Sequence, residues 1–283
     1  MVPEHVPGWL TELESKGLRP YAATSRKLLP YLNTTPFNRT LRWYLLDEPA
    51  DRAFLEAYLL ANSLSFTNPT FKMPHWILID CVLMQTAIVG FSLALDRVPE
   101  ALRQQFQADP SINLGDLSEL PLSGQISALN IDGRSLTGFS LFSLARYLTG
   151  VTHLSLYTKA LALEVYKARS LEACYGITQY DNPSLRVHGR FTNELELYQP
   201  LVPLHPGKDR TLIYKMVLDY DPQFLHEKKP DRPPTFWLNA NDLKRKEAIA
   251  EGIAGGKRYL IMPPFCEFAA GVTSLPILEI GGN

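Results

Sequence analysis

The chain has 283 residues, 46% of them apolar and 20% charged, with a formal net charge of −1. That length supports one large domain or two small ones around a well-buried core, and that composition excludes disorder. A charge so near zero gives no overall electrostatic attraction to nucleic acid or to anionic lipid as a main partner. Cys81, Cys174 and Cys266 lie far apart without a CxxC pair. They read as small structural hydrophobes in a reducing, cytoplasmic setting. The first residues, MVPEHVPGWLTELESKG, lack a basic stretch followed by an apolar one and do not read as a secretory leader. The most apolar window, 76–95, is broken by Asp80, Gln85, Thr86 and Gly90, which argues against membrane insertion.

In chain order, Trp9, Leu10 and Leu13 recur at helical spacing and a second short helix is predicted over 21–32. Residues 1–40 therefore read as an N-terminal helical arm. Residues 41–46 are strand-like, 47–50 a turn, and 51–66 an amphipathic helix with Phe54, Leu55, Tyr58, Leu59 and Ala61 on its apolar face. A polar loop over 67–72 leads to a hairpin over 76–95, its turn at 84–86. A short helix follows at 99–107, an irregular stretch at 109–122, and a strand at 125–131 that Asp132-Gly133 ends. Residues 140–148 read as a helix or a buried turn. The clearest helix is 158–169, TKALALEVYKAR, with Thr158 at the cap and Lys/Arg in the last turn. A strand at 177–180 and a short helix capped by Asn182, with Pro183 first, come next. Strands at 195–201 and 211–218, joined by a loop over 203–210, complete an α/β domain over 41–220. Residues 221–234, rich in proline and charge, read as a linker or surface loop. They open a C-terminal extension over 221–283, packed on the main domain, with a helix at 241–251 and a strand at 258–262 stopped by Pro263-Pro264.

The central order is strand, helix, two strands, then strand, helix, strand, short helix, two strands. It resembles the GNAT family of acyl-CoA-dependent N-acyltransferases over about residues 41–218. The resemblance implies an α/β (α+β) fold with a mixed central sheet flanked by helices. It also implies a central strand splayed from its neighbour, acyl-CoA in the gap, and the pyrophosphate on the start of the following helix. Free amides and the helix dipole favour an anion there. The corresponding helix is the one predicted from Thr158. The resemblance then puts the Thr158 hydroxyl and the Lys159 ammonium on the donor phosphates, with help from the amides of Ser155, Leu156 and Tyr157. The approach, YLTGVTHLSLYTK, carries Gly150. The second point of resemblance is NPSLRVHGRF. Asn182 matches a family asparagine and joins the cofactor-binding set. Leu185 takes a small-residue place, and His188 falls one position before a tyrosine that protonates the departing thiolate. Histidine suits that task near neutral pH. Asp132, ending the central strand, and Glu196, on a neighbouring strand, are candidate bases for the amine. The implied reaction passes an acyl group from acetyl-CoA or another acyl-CoA-type thioester to a small-molecule amine, without a metal.

Other constellations point less far. Cys174 with His188 would pair a nucleophile and a base, but no helix start activates the thiol. His75, His153, His188, His205 and His226 form no HxxxH or HExxH unit. Phe66, Phe71, Met73, Trp76 and Phe91 either line an apolar pocket or pack in the core. Lys244-Arg245-Lys246 reads as a solvated helix face beside Asp242 and Glu247. Two other function classes stay open: a non-catalytic lipid or small-molecule binding module, and an interaction protein that forms a homodimer through its terminal segments.

Overall fold

The computed structural model describes residues 7–66, 73–84, 86–202, 210–218, 224–226, 231–265 and 274–281. The loops expected over 67–72 and 203–209, parts of the 221–234 linker, and Phe71, Gln85, His205 and Cys266 lie outside the described residues. The chain clusters into two units. Unit 1 is Met1–Gly133 with Phe139–Ser170, and unit 2 is Arg134–Gly138 with Leu171–Asn283.

Unit 1 starts with helix α1 (Gly8–Ser15), which buries Leu10 and Leu13. Gly17, at φ 86°, turns the chain out of it, a conformation that glycine adopts without strain. The helix expected over 21–32 and the helical arm over 1–40 fail at the next step: Leu18–Thr24 is strand β1. Five consecutive residues of that strand, Pro20 to Thr24, are buried. A strand covered on both faces gives a continuous apolar run whose period cannot be told from a buried helix. Two single turns, α2 (Leu29–Leu32) and α3 (Pro36–Arg39), lead to β2 (Arg42–Leu45) and helix α4 (Arg52–Ser65). The expected hairpin over 76–95 is instead helix α5 (Ile77–Leu83) followed by strand β3 (Thr86–Ala94). The run ILIDCVL has no turn former inside it, and the Asp80 amide bonds back to Trp76 O in helical fashion. Helix α6 (Glu100–Gln107) precedes β4 (Glu119–Leu129), which begins six residues before the expected strand. Its buried Ser123, Gln125 and Ser127 break the apolar signal.

Within unit 1, β1 runs parallel to β2 and antiparallel to β3, and β3 antiparallel to β4. Helix α4 covers one face of β4. A Cβ on Gly124 would stand 2.4 Å from Tyr58 Cε2, so only glycine lets the helix come this close. Tyr44 and Phe54 stack, and Tyr21 meets both rings edge-on. Strand β5 (Ser135–Ser143) takes 140–143 of the segment read as a helix or a turn, and a single helical turn at Ala145–Tyr147 lies in the rest of it. After it comes α7 (Leu154–Val165), buried at every position except Ser155. Buried polar side chains, Thr158, Lys159 and Glu164, are included in that set.

Unit 2 takes up the first half of β5. Ser135–Gly138 pair in parallel with Ala173–Gly176 of β6 (Ala173–Gln179), and that ladder ends at Gly138–Gly176. The short helix α8 (Ser184–Gly189) follows, then β7 (Leu195–Gln199) and β8 (Thr211–Val217). Strand β8 pairs antiparallel with both β6 and β7. The C-terminal segment adds more than the single strand expected: β9 (Phe236–Asn239), α9 (Leu243–Ala254), β10 (Arg258–Ile261) and β11 (Ser274–Ile280). It continues the ladder from β7 in the order β7-β10-β11-β9. Among the described residues no helix is long and apolar enough to cross a membrane.

Candidate functional site

The start of α7 is built by the chain that leaves β5. Ser140 sits at φ 55°, in the left-handed region that non-glycine residues seldom visit, and its hydroxyl meets Asn62 Nδ2. A single turn over Ala145–Tyr147 ends β5's run. The loop that follows holds Gly150 at φ 73° and His153 at φ 58°, both left-handed. Thr149, Gly150, Thr152 and His153 are all exposed. The helix begins at Leu154, four residues before the expected cap. Propensity favoured Thr158, but burial of Leu154, Leu156 and Tyr157 against the strands recruits the earlier turn.

This shift redistributes the residues expected to hold phosphates. The amides of Leu156 and Tyr157 both point to His153 O, at 2.8 and 3.2 Å. Leu154 and Ser155 occupy the first positions of the helix, where an amide has no carbonyl four residues back within the helix. Thr158 is fully buried, and its Oγ1 lies 2.7 Å from both Leu154 O and Ser123 Oγ. Lys159 is fully buried too. Neither side chain stands at the helix start. The Tyr157 ring stacks on Trp9 of α1 at 5.8 Å, and burial pushes its hydroxyl above the usual tyrosine range.

The other expected residues belong to unit 2, except Asp132, which is exposed in the turn that ends β4. Helix α8 starts one residue later than expected, with Pro183 at its N-cap, and Asn182 supports the turn before it: its Oδ1 accepts the Ser184 amide at 2.9 Å and its carbonyl accepts the Leu185 amide. His188 is 5% exposed and stacks on Tyr214 with ring centroids 4.5 Å apart. Tyr214 escaped the sequence reading. The signal it left is the alternating burial of β8, and it fills the space above Gly176, where a Cβ would fall 2.2 Å from its hydroxyl. Burial holds its proton well above the usual tyrosine range. Glu196, the second candidate base, spends its carboxylate on two cations. Its Oε1 accepts from Arg258, and its Oε2 lies 3.4 Å from Lys215 Nζ. Those oxygens bind strands together and do not stand ready to take a proton. Among the described residues no three His, Cys, Asp or Glu side chains converge as metal ligands.

The layout that the GNAT resemblance implied can be followed in each unit: β1-β3-β4 antiparallel in unit 1, the parallel step β5-β6 and then β8-β7 in unit 2, with α7 linking the parallel pair. No protein-family model matches the sequence, and no curated protein matches it. Several solved structures resemble it. A GNAT-family acetyltransferase from Bacillus anthracis is 9% identical, the match covering 58% of this chain and 90% of that one, at a TM-score of 0.34. A variant of spermidine N-acetyltransferase from Vibrio cholerae is 16% identical over 71% of this chain and 94% of that one, at a TM-score of 0.30. A protein described as an acyl-CoA N-acyltransferase, from Klebsiella pneumoniae, is 10% identical over 60% and 92%, at 0.35.

Proposed function

We propose that the chain is an acyltransferase that moves an acyl group from an acyl-CoA-type thioester to an amine. One observation supports this most: β5 runs into α7 through an exposed loop with two left-handed residues, so the first amides of a buried helix follow directly on an exposed turn. Left-handed residues turn successive amides toward one side, and a helix start adds its dipole, so the place suits a pyrophosphate. The amides of Leu154 and Ser155 take the role that the sequence gave to the Thr158 and Lys159 side chains. In the reaction the amine nitrogen bonds to the thioester carbonyl carbon and loses a proton. The carbon–sulfur bond breaks, and the thiolate leaves and takes up a proton. Asp132, in the same unit as α7, keeps the role of base that the GNAT resemblance gives it.

The test is binding and turnover. Acetyl-CoA at millimolar concentration raises the thermal midpoint, because a ligand that binds only the native state stabilises it. In Ser155→Asp the ligand-free midpoint holds or rises, since a carboxylate suits the first turn of a helix. The same charge repels the pyrophosphate and weakens acetyl-CoA binding at least about tenfold. No midpoint shift with acetyl-CoA, or equal affinity in Ser155→Asp, overturns the proposal.

A further inference from the structure

Two cavities open on the outer side of α4, away from the strands it covers. One, of 520 Å³, has Ser111, Asn113 and Asp116 on its polar wall. The other, of 570 Å³, is bounded by Asp47, Glu48, Trp76 at the N-cap of α5, and Ile79 and Leu83 within it. They share Arg52, Glu56 and His75, which makes them one groove with a polar end and an apolar end. Its size is that of a small-molecule site.

Glu56 stands at the join. Its Oε1 lies 3.4 Å from Arg52 Nε and its Oε2 2.8 Å from His75 Nδ1. Close as His75 stands, Oε2 is shielded from solvent and accepts no hydrogen bond. A shielded carboxylate oxygen without a donor is costly. The side chain that crowds it, His75, is 71% exposed, so little packing holds it in place. Next to it, α5 with its N-cap turns Trp76, Ile79 and Leu83 to solvent, 57%, 64% and 74% exposed, at a spacing that puts them on one helix face. An apolar face of this kind marks a binding surface.

Charge decides the occupant. Asp47, Glu48, Glu56 and Asp116 line the groove against Arg52 and a histidine that is charged only when protonated. Arg26 is paired with Glu48 at 2.5 Å. We propose that this groove binds an amphipathic amine. Its ammonium donates to Glu56 Oε2 in place of His75, and its apolar body lies along Trp76, Ile79 and Leu83. The Trp76 ring adds attraction for a cation. A carboxylate or phosphate ligand would face four like charges instead. The site does not depend on acyl transfer.

Calorimetric titration with octylamine, octanoate and octanol separates the contributions, since the three share a chain and differ in charge. Octylamine binds saturably at millimolar concentration or below, octanol more weakly, and octanoate not at all. Glu56→Gln weakens octylamine about tenfold or more. Ile79→Ser weakens it as well, and because the position is exposed its ligand-free midpoint stays at the wild-type value, which keeps the test sound if Glu56→Gln loses stability. Acetyl-CoA binding is unchanged in both variants. Octanoate binding as tightly as octylamine, no octylamine binding, or wild-type affinity in Ile79→Ser overturns the proposal. So does a light-scattering mass of two chains that falls to one chain in Ile79→Ser, since the face would then be covered by a second copy.

Discussion

Cys81 is an apolar side chain in practice. It is 1% exposed in α5, and burial, with Asp80 beside it, pushes its thiol up to about 12, although a hydrogen bond with Thr86 pulls the other way. Iodoacetamide at pH 8 therefore leaves Cys81 unmodified until denaturant opens the fold, as peptide mass mapping would show. The same shift links stability to pH. The folded state keeps a proton that the unfolded thiol releases near pH 8.5, so this stabilisation is whole below that pH and declines as pH rises toward 12. Urea midpoints measured at pH 8, 9 and 10 fall in the wild type, and in Cys81→Ala the fall between pH 8 and 10 is smaller. Equal slopes in the two proteins would show that the thiol keeps no proton in the fold. Legibility at this scale was uneven. Cys81 and Cys174 read correctly as buried hydrophobes, because the type alone predicts it. Glu196 did not, because its ion partner Arg258 lies 62 residues away in sequence and only the pairing of β7 with β10 brings them together.

Helix α7 shows what an element's sequence can and cannot disclose. Its composition announced a helix, and a helix is there. Its start was misread because Thr158 is a good cap residue and the real N-cap, His153, has no side-chain cap bond. Exposed loop geometry sets that boundary, and φ values leave little trace in residue type when the residue is not glycine. The same limit explains β1 and β4, whose covered faces erase the alternation that marks a strand. The elements with one wet face, α4, α6 and α9, were found within two or three residues of their ends. The corrected place of Thr158 has a measurable consequence. Thr158→Val removes a hydroxyl that bonds to Leu154 O and Ser123 Oγ and costs about 1 kcal/mol in urea melts. It leaves acetyl-CoA affinity as it was. A large loss of acetyl-CoA affinity at unchanged stability would return Thr158 to the phosphates.

At the scale of the whole molecule, the C-terminal segment is part of unit 2's framework and not an appendage. Strand β10 covers β7, Arg258 holds Glu194 and Glu196, and Pro263 packs where a Cβ on Gly189 would stand, 2.6 Å from Pro263 Cγ. A chain ending at residue 226 loses all of these at once and exposes a strand edge on which Glu194 and Glu196 have lost Arg258. Its expected fate is aggregation on expression, checked by the soluble fraction and by light scattering. A soluble monomer with native circular dichroism would mean that β7 needs no cover. Proline content and charge hid this from the sequence reading, since the linker-like stretch before β9 suggests an ending and not a bridge.

Strand β5 has a consequence for how the protein is made. Arg134–Gly138 belong to unit 2, while the residues on both sides of them, up to Gly133 and from Phe139 to Ser170, belong to unit 1. A ribosome adding 5–20 residues per second needs roughly 2–7 s to go from Gly138 to Ala173, where the first partner on β6 appears. For that interval a nascent chain with unit 1 all but complete carries, in its middle, a stretch of strand whose mate has not yet been synthesised. Codon usage and chaperone access across residues 139–173 thus act on the yield of the second unit, through a handful of residues translated long before it.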